Sequence, residues 1–230
     1  MKLTLDVENT TTERDGKLHL DPFEAGNSLT MIGMLDDQGN EYSITFDHND
    51  VEPTPDGHSI VQHNLDKTTV LIAHNAAYDL TWLWESGFKY DGPVFDTMLG
   101  EYVLQRGLKE PLSLEACAER YELDTKKQDT LKEYFKKGYS TCEIPHDELS
   151  EYLSADLHAT QQLSDKLMLR LNSEGDAGLM PTVTLTNEVA VCLAKIYSRG
   201  FSVDVSKLDE VRQEFEAEKK ELLDELQKHV

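Results

Sequence analysis

Three pairs of residues in this chain combine types and spacings that chemistry can use. Asp6 and Glu8 stand two apart in the β-rich opening MKLTLDVENT, and the period of a strand sets both carboxylates on one face. Asn75 and Asp79 stand four apart in HNAAYDLTWL, at the start of a predicted helix, so an amide and a carboxylate share a helical face. Tyr152 and Asp156 repeat that spacing in EYLSADLHAT, setting a phenol beside a carboxylate. Each pair also has a plainer reading. With 44 acids in 230 residues, an acid-x-acid pair arises by chance on the order of eight times. Asn75 suits an N-cap, Asp79 a first-turn acid favoured by the helix dipole, and Tyr152 with Asp156 ordinary packing and solvation.

As a set, Asp6, Glu8, Asp79 and Asp156 supply four carboxylates from one strand and two helices, with a phenol one helical turn before the last. Hard oxygen donors of this kind suit Mg²⁺ or Mn²⁺, whereas zinc more often takes His or Cys as well. Two such ions about 3.5 to 4 Å apart activate a water and stabilise the attacking and leaving oxygens of a phosphodiester. Two acids on a buried strand are costly without a cation.

The elements that must position these residues follow from local pattern. Alternation over residues 3 to 7, then SLTMIGMLDD, a QGN turn and EYSITFDH, predict a three-strand meander with the first strand central. A polar stretch with Pro53, Pro55 and Gly57 follows, which puts His58 and His63 in loops or at helix ends. TTVLIAHN reads as a strand ending at Asn75, a residue able to cap the helix AAYDLTWLWE, in which Trp82 or Trp84 faces the core. GPVFD reads as a strand feeding the helix TMLGEYVLQR, and SLEACAERY, TLKEYFKK and PHDELSEYLSADLHATQQLSDKLMLRL carry helical periodicity. The fold class is therefore α/β, a mixed central sheet flanked by helices, with a C-terminal helical extension. The Gly-, Ser- and Asn-bearing stretch NSEGDAGLMP predicts a boundary near residues 172 to 182, between one unit over 1–175 and another over 182–230. In the second unit, residues 186 to 198 and 206 to 229 read as helices, the latter with a stripe of Leu208, Val211, Phe215, Leu222 and Leu226 that needs a partner surface.

Composition narrows the functional classes. The formal charge is 22 − 44 = −22, which argues against a surface that grips a phosphate backbone unaided. A hydrophobic content of 39% excludes a disordered acidic chain. Cys117, Cys142 and Cys192 are widely spaced and odd in number, which suits a reducing compartment and offers no zinc cluster. The acid at position 6 interrupts any signal-peptide core, and no segment reads as approaching about 18 apolar residues, so a soluble intracellular protein with no membrane partner is expected.

The motifs LDVE, NAAYD and YLSAD, in that order, resemble the three exonuclease motifs of the DEDD superfamily, and Tyr152 in place of a His resembles its DEDDy branch. The likeness is greatest to the 3′→5′ proofreading domain of bacterial and phage family-A DNA polymerases, and VFDTMLGEYVLQ and LSLEACAERY are similar to that domain too. It covers roughly residues 2 to 172, and the segment from LTNEVAVCLAKIYSRGF onward is similar to the start of the polymerase portion. The resemblance implies an RNase H-like fold and two divalent cations, Mg²⁺ or Mn²⁺. By similarity, Asp6, Glu8 and Asp156 hold the first ion, Asp6 also reaches the second, and Asp79 binds the second largely through its waters. Tyr152 and Glu8 orient the attacking water, Asn75 and Tyr78 line the groove for the terminal nucleotides, and the backbone at Asn9 and Thr10 approaches the 3′ end. The implied partners are a DNA 3′ end, with single strands preferred, and a polymerase portion in cis or in trans, in the cytoplasm of a cell or of a phage's host. HDE at His146 to Glu148 resembles a polymerase palm motif but opens a predicted helix, and reads as coincidence. Two alternatives share these features: a DEDD ribonuclease trimming RNA 3′ ends, and a non-catalytic acidic docking module.

Overall fold

The computed structural model describes residues 1–123 and 129–228. Its elements are β1 (Lys2–Asn9), β2 (Thr12–Arg14), β3 (Lys17–His19), β4 (Leu29–Asp36), β5 (Glu41–Thr45), α1 (Gly57–Lys67), β6 (Val70–Ala73), α2 (Ala76–Glu85), β7 (Val94–Asp96) and α3 (Thr97–Leu104). They continue with α4 (Leu114–Arg120), α5 (Asp129–Lys136), α6 (His146–Leu171), α7 (Met180–Arg199) and α8 (Val205–Lys228). Five strands pair in the order β5-β4-β1-β6-β7. β1 runs antiparallel to β4 and parallel to β6, so the sheet is mixed and the opening strand is its middle.

The predicted meander is interrupted by a separate two-stranded hairpin, β2 with β3. Asp15 and Gly16 turn it, with φ of 54° and 71°, the left-handed pair that a two-residue hairpin loop requires. Its strands are three residues long, too short for alternation to reveal. The stretch after Pro55 also differs from expectation, because residues 57–67 form α1; His58 lies at its start, as expected, but His63 lies in its interior. Val61 and Leu65, four apart, bury against the sheet. Gly57 permits this start, since a Cβ there lies 2.8 Å from Ile44 Cγ2.

Alternation along β1 divides the protein into two layers of core. Leu3, Leu5 and Val7 join Val61, Leu65, Leu80, Trp82 and Leu83 on the face covered by α1 and α2. Trp82 is the buried tryptophan of its pair, while the half-buried Trp84 donates from Nε1 to the Tyr90 carbonyl at 3.2 Å. α6 covers the opposite face, where its Leu149 and Leu153 meet Met31 and its Leu163, Leu167 and Leu171 meet Ile72. Thr4, on that face, donates to Gln161 of α6.

One compact unit spans Met1–Ser198, and residues 175–182, where the boundary is expected, hold the end of a turn, a single helical turn at Ala177–Leu179 and the start of α7 inside it. α7 belongs to that unit because it buries Val183, Asn187 and Ala194. The second unit, Arg199–Val230, contains α8, whose Leu208, Phe215, Leu222 and Leu226 are exposed and whose Val211 is half-buried. The last residue of the helix expected over 206–229 lies outside the described residues. Among the described residues, Ala177–Arg199 is long and apolar enough by composition to cross a membrane, contrary to the expectation that no segment comes near. Strict apolar counting misses it because Asn187, Glu188 and Lys195 break the run while the windowed mean hydropathy still reaches 1.3.

Candidate active site

β6 pairs with β1 only at Lys2, Leu3 and Thr4, and it ends at Ala73, where the chain turns into α2. β1 therefore runs on past its neighbour, and Asp6 to Asn9 lie beyond its pairing with β6, near the strand ends where an open sheet usually takes a ligand. The Val7 amide, with no β6 carbonyl to reach, donates to Asp79 Oδ1 at 3.2 Å. That bond carries Asp79, 2% exposed, from α2 to the end of β1.

Two residues that sequence reading did not single out set the remaining geometry. Asp96, at the end of β7, accepts from the Met98 and Leu99 amides of α3 and also from the Asn75 and Ala76 amides at the start of α2. The expected Asn75 cap is thereby replaced. Asn75 occupies the cap position with φ of 71° but makes no side-chain cap bond, because the Asp96 carboxylate already serves those amides. An Asp directly before the helical TMLGEYVL is an N-cap signal; its reach to a second helix has no local signal. Gly33 is the register partner of Asp6 on β4, and a Cβ there meets Leu153 Cγ and Leu157 Cδ1 at 2.8 Å each. The missing side chain lets α6 lie close to the sheet beside Asp6, and an isolated Gly inside a strand marks such an approach.

α6 brings Tyr152 and Asp156 to the same face as Asp6 and Glu8, and the Tyr152 hydroxyl donates to the Asp156 carboxylate. Burial raises all four acids, and their mutual charge raises three of them further. Asp6 is pushed up to about 8 by burial and then by Asp156, against the partial relief of the Val7 amide. Glu8 is held well above the ordinary carboxylate range by burial and by Asp6, Asp156 and Asp79 in turn. Asp79 is raised by burial and then by Asp6, and lowered in part by its amide donors. Asp156 is raised to about 6 by burial, with the Tyr152 bond opposing the shift. Tyr152 is raised strongly by burial and then by Asp156 and Glu8, which keeps its proton on the phenol.

The structure thus brings Asp6, Glu8, Asp79, Tyr152 and Asp156 into one electrostatically coupled group. Among the described residues, no three His, Cys, Asp or Glu side chains stand in a closed metal-holding arrangement. Carboxylates brought together in this way repel, and that repulsion adds to burial in raising Asp6, Glu8 and Asp79. The donor set, all oxygen and short of positive charge, fits hard divalent cations.

The expected substrate contacts divide. Tyr78 lies with its hydroxyl 2.5 Å from Asn9 Oδ1 and 3.1 Å from the Leu20 carbonyl, which also accepts from Asn9 Nδ2 and Trp82 Nε1. Thr10, buried, exchanges backbone and side-chain bonds with Ser28. Asn9, Thr10 and Tyr78 therefore stitch the segment carrying the small hairpin onto β1, while Asn75 stands exposed at the start of α2. His74, bonded to Thr97 and Leu112, is lowered by burial and serves as a neutral strut.

A family profile described as 3'-5' exonuclease matches residues 20–172. The chain belongs to that exonuclease family. The match begins after Asp6 and Glu8 and includes Asp79, Tyr152 and Asp156. DNA polymerase I of Bacillus subtilis (strain 168) is 27% identical over 161 residues, covering 70% of this chain and 17% of that protein. DNA polymerase I of Chloroflexus aurantiacus is 32% identical over 109 residues, covering 45% of this chain and 11% of that protein. The chain thus spans less than a fifth of the length of these relatives. Among solved structures, Brucella melitensis NrnC with bound Mg²⁺ is similar at a TM-score of 0.61 and 17% identity, covering 89% of each chain. Escherichia coli RNase D, titled an exoribonuclease involved in structured RNA processing, is similar at 0.56 and 14% identity, covering 84% of this chain and 44% of that one. These likenesses establish the RNase H-like exonuclease fold expected from the sequence.

Proposed function

We propose that this 3′-5′ exonuclease hydrolyses the 3′-terminal phosphodiester of DNA and releases nucleoside monophosphates, as the proofreading part of a family-A DNA polymerase. The observation that carries the reading is the convergence of Asp6, Glu8, Asp79 and Asp156 with Tyr152 at the end of β1. Asp6, Glu8 and Asp156 hold one divalent cation, and Asp6 and Asp79 a second, Mg²⁺ or Mn²⁺. When bound, the ions supply water activation and stabilisation of the leaving oxygen. Tyr152, kept protonated, and Glu8 orient the attacking water. The exposed Asn75 and the Tyr78 ring line the path of the terminal nucleotides, and the backbone at Asn9 and Thr10 meets the 3′ end. The two curated polymerase relatives support DNA as the substrate and a polymerase portion, in cis or in trans, as the partner that supplies grip on the duplex. Single-stranded ends are preferred, and the site of action is the cytoplasm.

A second reading, an exoribonuclease trimming RNA 3′ ends, is favoured by one observation: the fold is shared with Escherichia coli RNase D, an exoribonuclease involved in structured RNA processing. The deciding experiment is mononucleotide release from matched DNA and RNA strands labelled at the 3′ end, with and without Mg²⁺ or Mn²⁺. Faster release from DNA is expected, and persistent cleavage by Asp6→Ala/Glu8→Ala contradicts the site. RNA cleaved faster moves the assignment to the second reading.

A further inference from the structure

A chain of formal charge −22 carries, near its middle, a short lysine-rich stretch of the opposite sign. Between residues 126 and 137 stand Lys126, Lys127, Lys132, Lys136 and Lys137, against the acids Asp129 and Glu133 alone. Aromatic residues interleave with them: Tyr134, Phe135 and, after Gly138, Tyr139. Lysines with interspersed rings are the composition of a surface that tracks single-stranded nucleic acid, the cations meeting phosphates and the rings stacking on bases.

The fold assembles the described part of this stretch into a ridge. Gly138, with φ of 83°, turns the chain after α5 so that the Tyr139 ring meets Tyr134 edge-on, with centroids 5.5 Å apart. Lys137 Nζ lies 6.0 Å from the centre of the Tyr134 ring. Phe135 and Tyr139 are 46% and 44% exposed, and Lys136 and Lys137 are exposed beside them. The ion pair of Lys137 with Glu133, 4.0 Å long and open to solvent on both sides, holds the lysine weakly. Behind the ridge, Leu131 and Tyr134 pack into one apolar cluster with Met31, Ile144, Leu149, Leu153 and Tyr152. The Tyr134 hydroxyl donates to Glu148 Oε1 at 3.1 Å, and Glu148 stands one helical turn before Tyr152 on α6. The ridge is thus anchored to the helix that carries the active-site tyrosine.

We propose that Phe135, Lys136, Lys137 and Tyr139 form the track for the single DNA strand leading to the 3′ end. In naming DNA as the strand, this rests on the nuclease reading above. It resolves the conflict between an acidic protein and a polyanionic substrate, because phosphates meet locally reversed charge on the approach to the carboxylates.

The test uses the full chain in EDTA, where binding is read without hydrolysis. Anisotropy of a labelled oligothymidylate of about twelve nucleotides is followed across roughly 50 to 200 mM KCl. Lys136→Gln/Lys137→Gln is expected to flatten the slope of log affinity against log salt by about 1.4, the share of two phosphate contacts on a single strand. Tyr139→Ala and Phe135→Ala are each expected to weaken binding by about five-fold or more, with little change in the salt slope. In Mg²⁺, the lysine variant's loss of cleavage is expected to be larger on the long strand than on a dinucleotide. Unchanged affinity and slope in the lysine variant, with thermal melting also unchanged, overturns the proposal whatever the nuclease assay shows. Conversely, a parent protein that binds with the expected slope but cleaves no strand retains the track and loses the nuclease reading.

Discussion

Replacing Gly33 by Ala tests whether the distance between α6 and the sheet governs catalysis. The added Cβ falls 2.8 Å from both Leu153 Cγ and Leu157 Cδ1, where carbon contacts need about 3.5 to 4 Å, so the helix must retreat by roughly 0.7 to 1.2 Å. Overpacking of this kind costs about 1 to 3 kcal/mol. In a protein of this size each kcal/mol lowers Tm by about 2 to 4 °C, giving an expected fall of roughly 2 to 12 °C. Asp156 and Tyr152 lie on the displaced helix while Asp6 and Glu8 stay on β1, and a misplacement of about 1 Å costs on the order of a hundred-fold in rate. Gly33→Ala is therefore expected to lower kcat for mononucleotide release by about ten- to a hundred-fold, with KM for the strand little changed. Gly178→Ala is the control, because its Cβ meets nothing within 4 Å. The assay pairs steady-state release from a 3′-labelled strand at saturating Mg²⁺ with thermal melting. A Tm lowered by several degrees with kcat within two-fold of the parent would refute the reasoning, since the helix would have moved without disturbing the reaction.

Other outcomes follow from the same geometry. Tyr152→Phe removes the hydroxyl that meets Asp156 and is expected to cut kcat by about 10²-fold with the circular-dichroism spectrum unchanged, checked by single-turnover kinetics. Because Asp6 and Asp156 are raised in the folded state, that state holds protons the unfolded chain has released. Stability of the metal-free protein should then fall as pH rises from about 4 toward 8, by several degrees in Tm, and Mg²⁺ should remove most of the fall; melting across pH with and without Mg²⁺ reads this directly. A metal-free Tm that rises over that range contradicts the assignment of shared charge. Asp96→Ala strips the caps from α2 and α3 together and should cost about 2 to 4 kcal/mol by urea unfolding. Loss of no more than one cap's worth, about 1 kcal/mol, would show that the two helix ends are satisfied otherwise.

Much of this arrangement is legible in residue order because it rests on period. The alternation of MKLTLDVEN puts Asp6 and Glu8 on one face, and the four-residue spacings put Asp79 and Asp156 on theirs. The middle position of β1 follows from its apolar character, and α2 has the bounds its sequence suggests. What escaped sequence reading is of another kind. α1 begins two residues after Pro55 and buries only a narrow stripe, so its polar surface masks it. The hairpin at Thr12 to His19 is too short for a pattern, although Asp15-Gly16 is a turn signal. The end of the first compact unit lies at Ser198 rather than near residue 175 because Asn187 of α7 reaches back to the Asp96 amide at 3.2 Å, a tertiary contact with no local trace. Gly33 and Asp96 act across the fold, on Leu153 and Leu157 in one case and on the start of α2 in the other.

The Leu20 carbonyl within reach of Asn9, Tyr78 and Trp82 has a consequence for how this protein tolerates change. The acceptor is main chain and the Leu20 side chain is largely exposed, so almost any amino acid at position 20 preserves the anchor. Inserting or deleting one residue between β3 and Asp21, however, slides a different carbonyl under those donors. The hairpin is therefore robust to replacement and fragile to length, and variation there should be written in substitutions rather than in gaps.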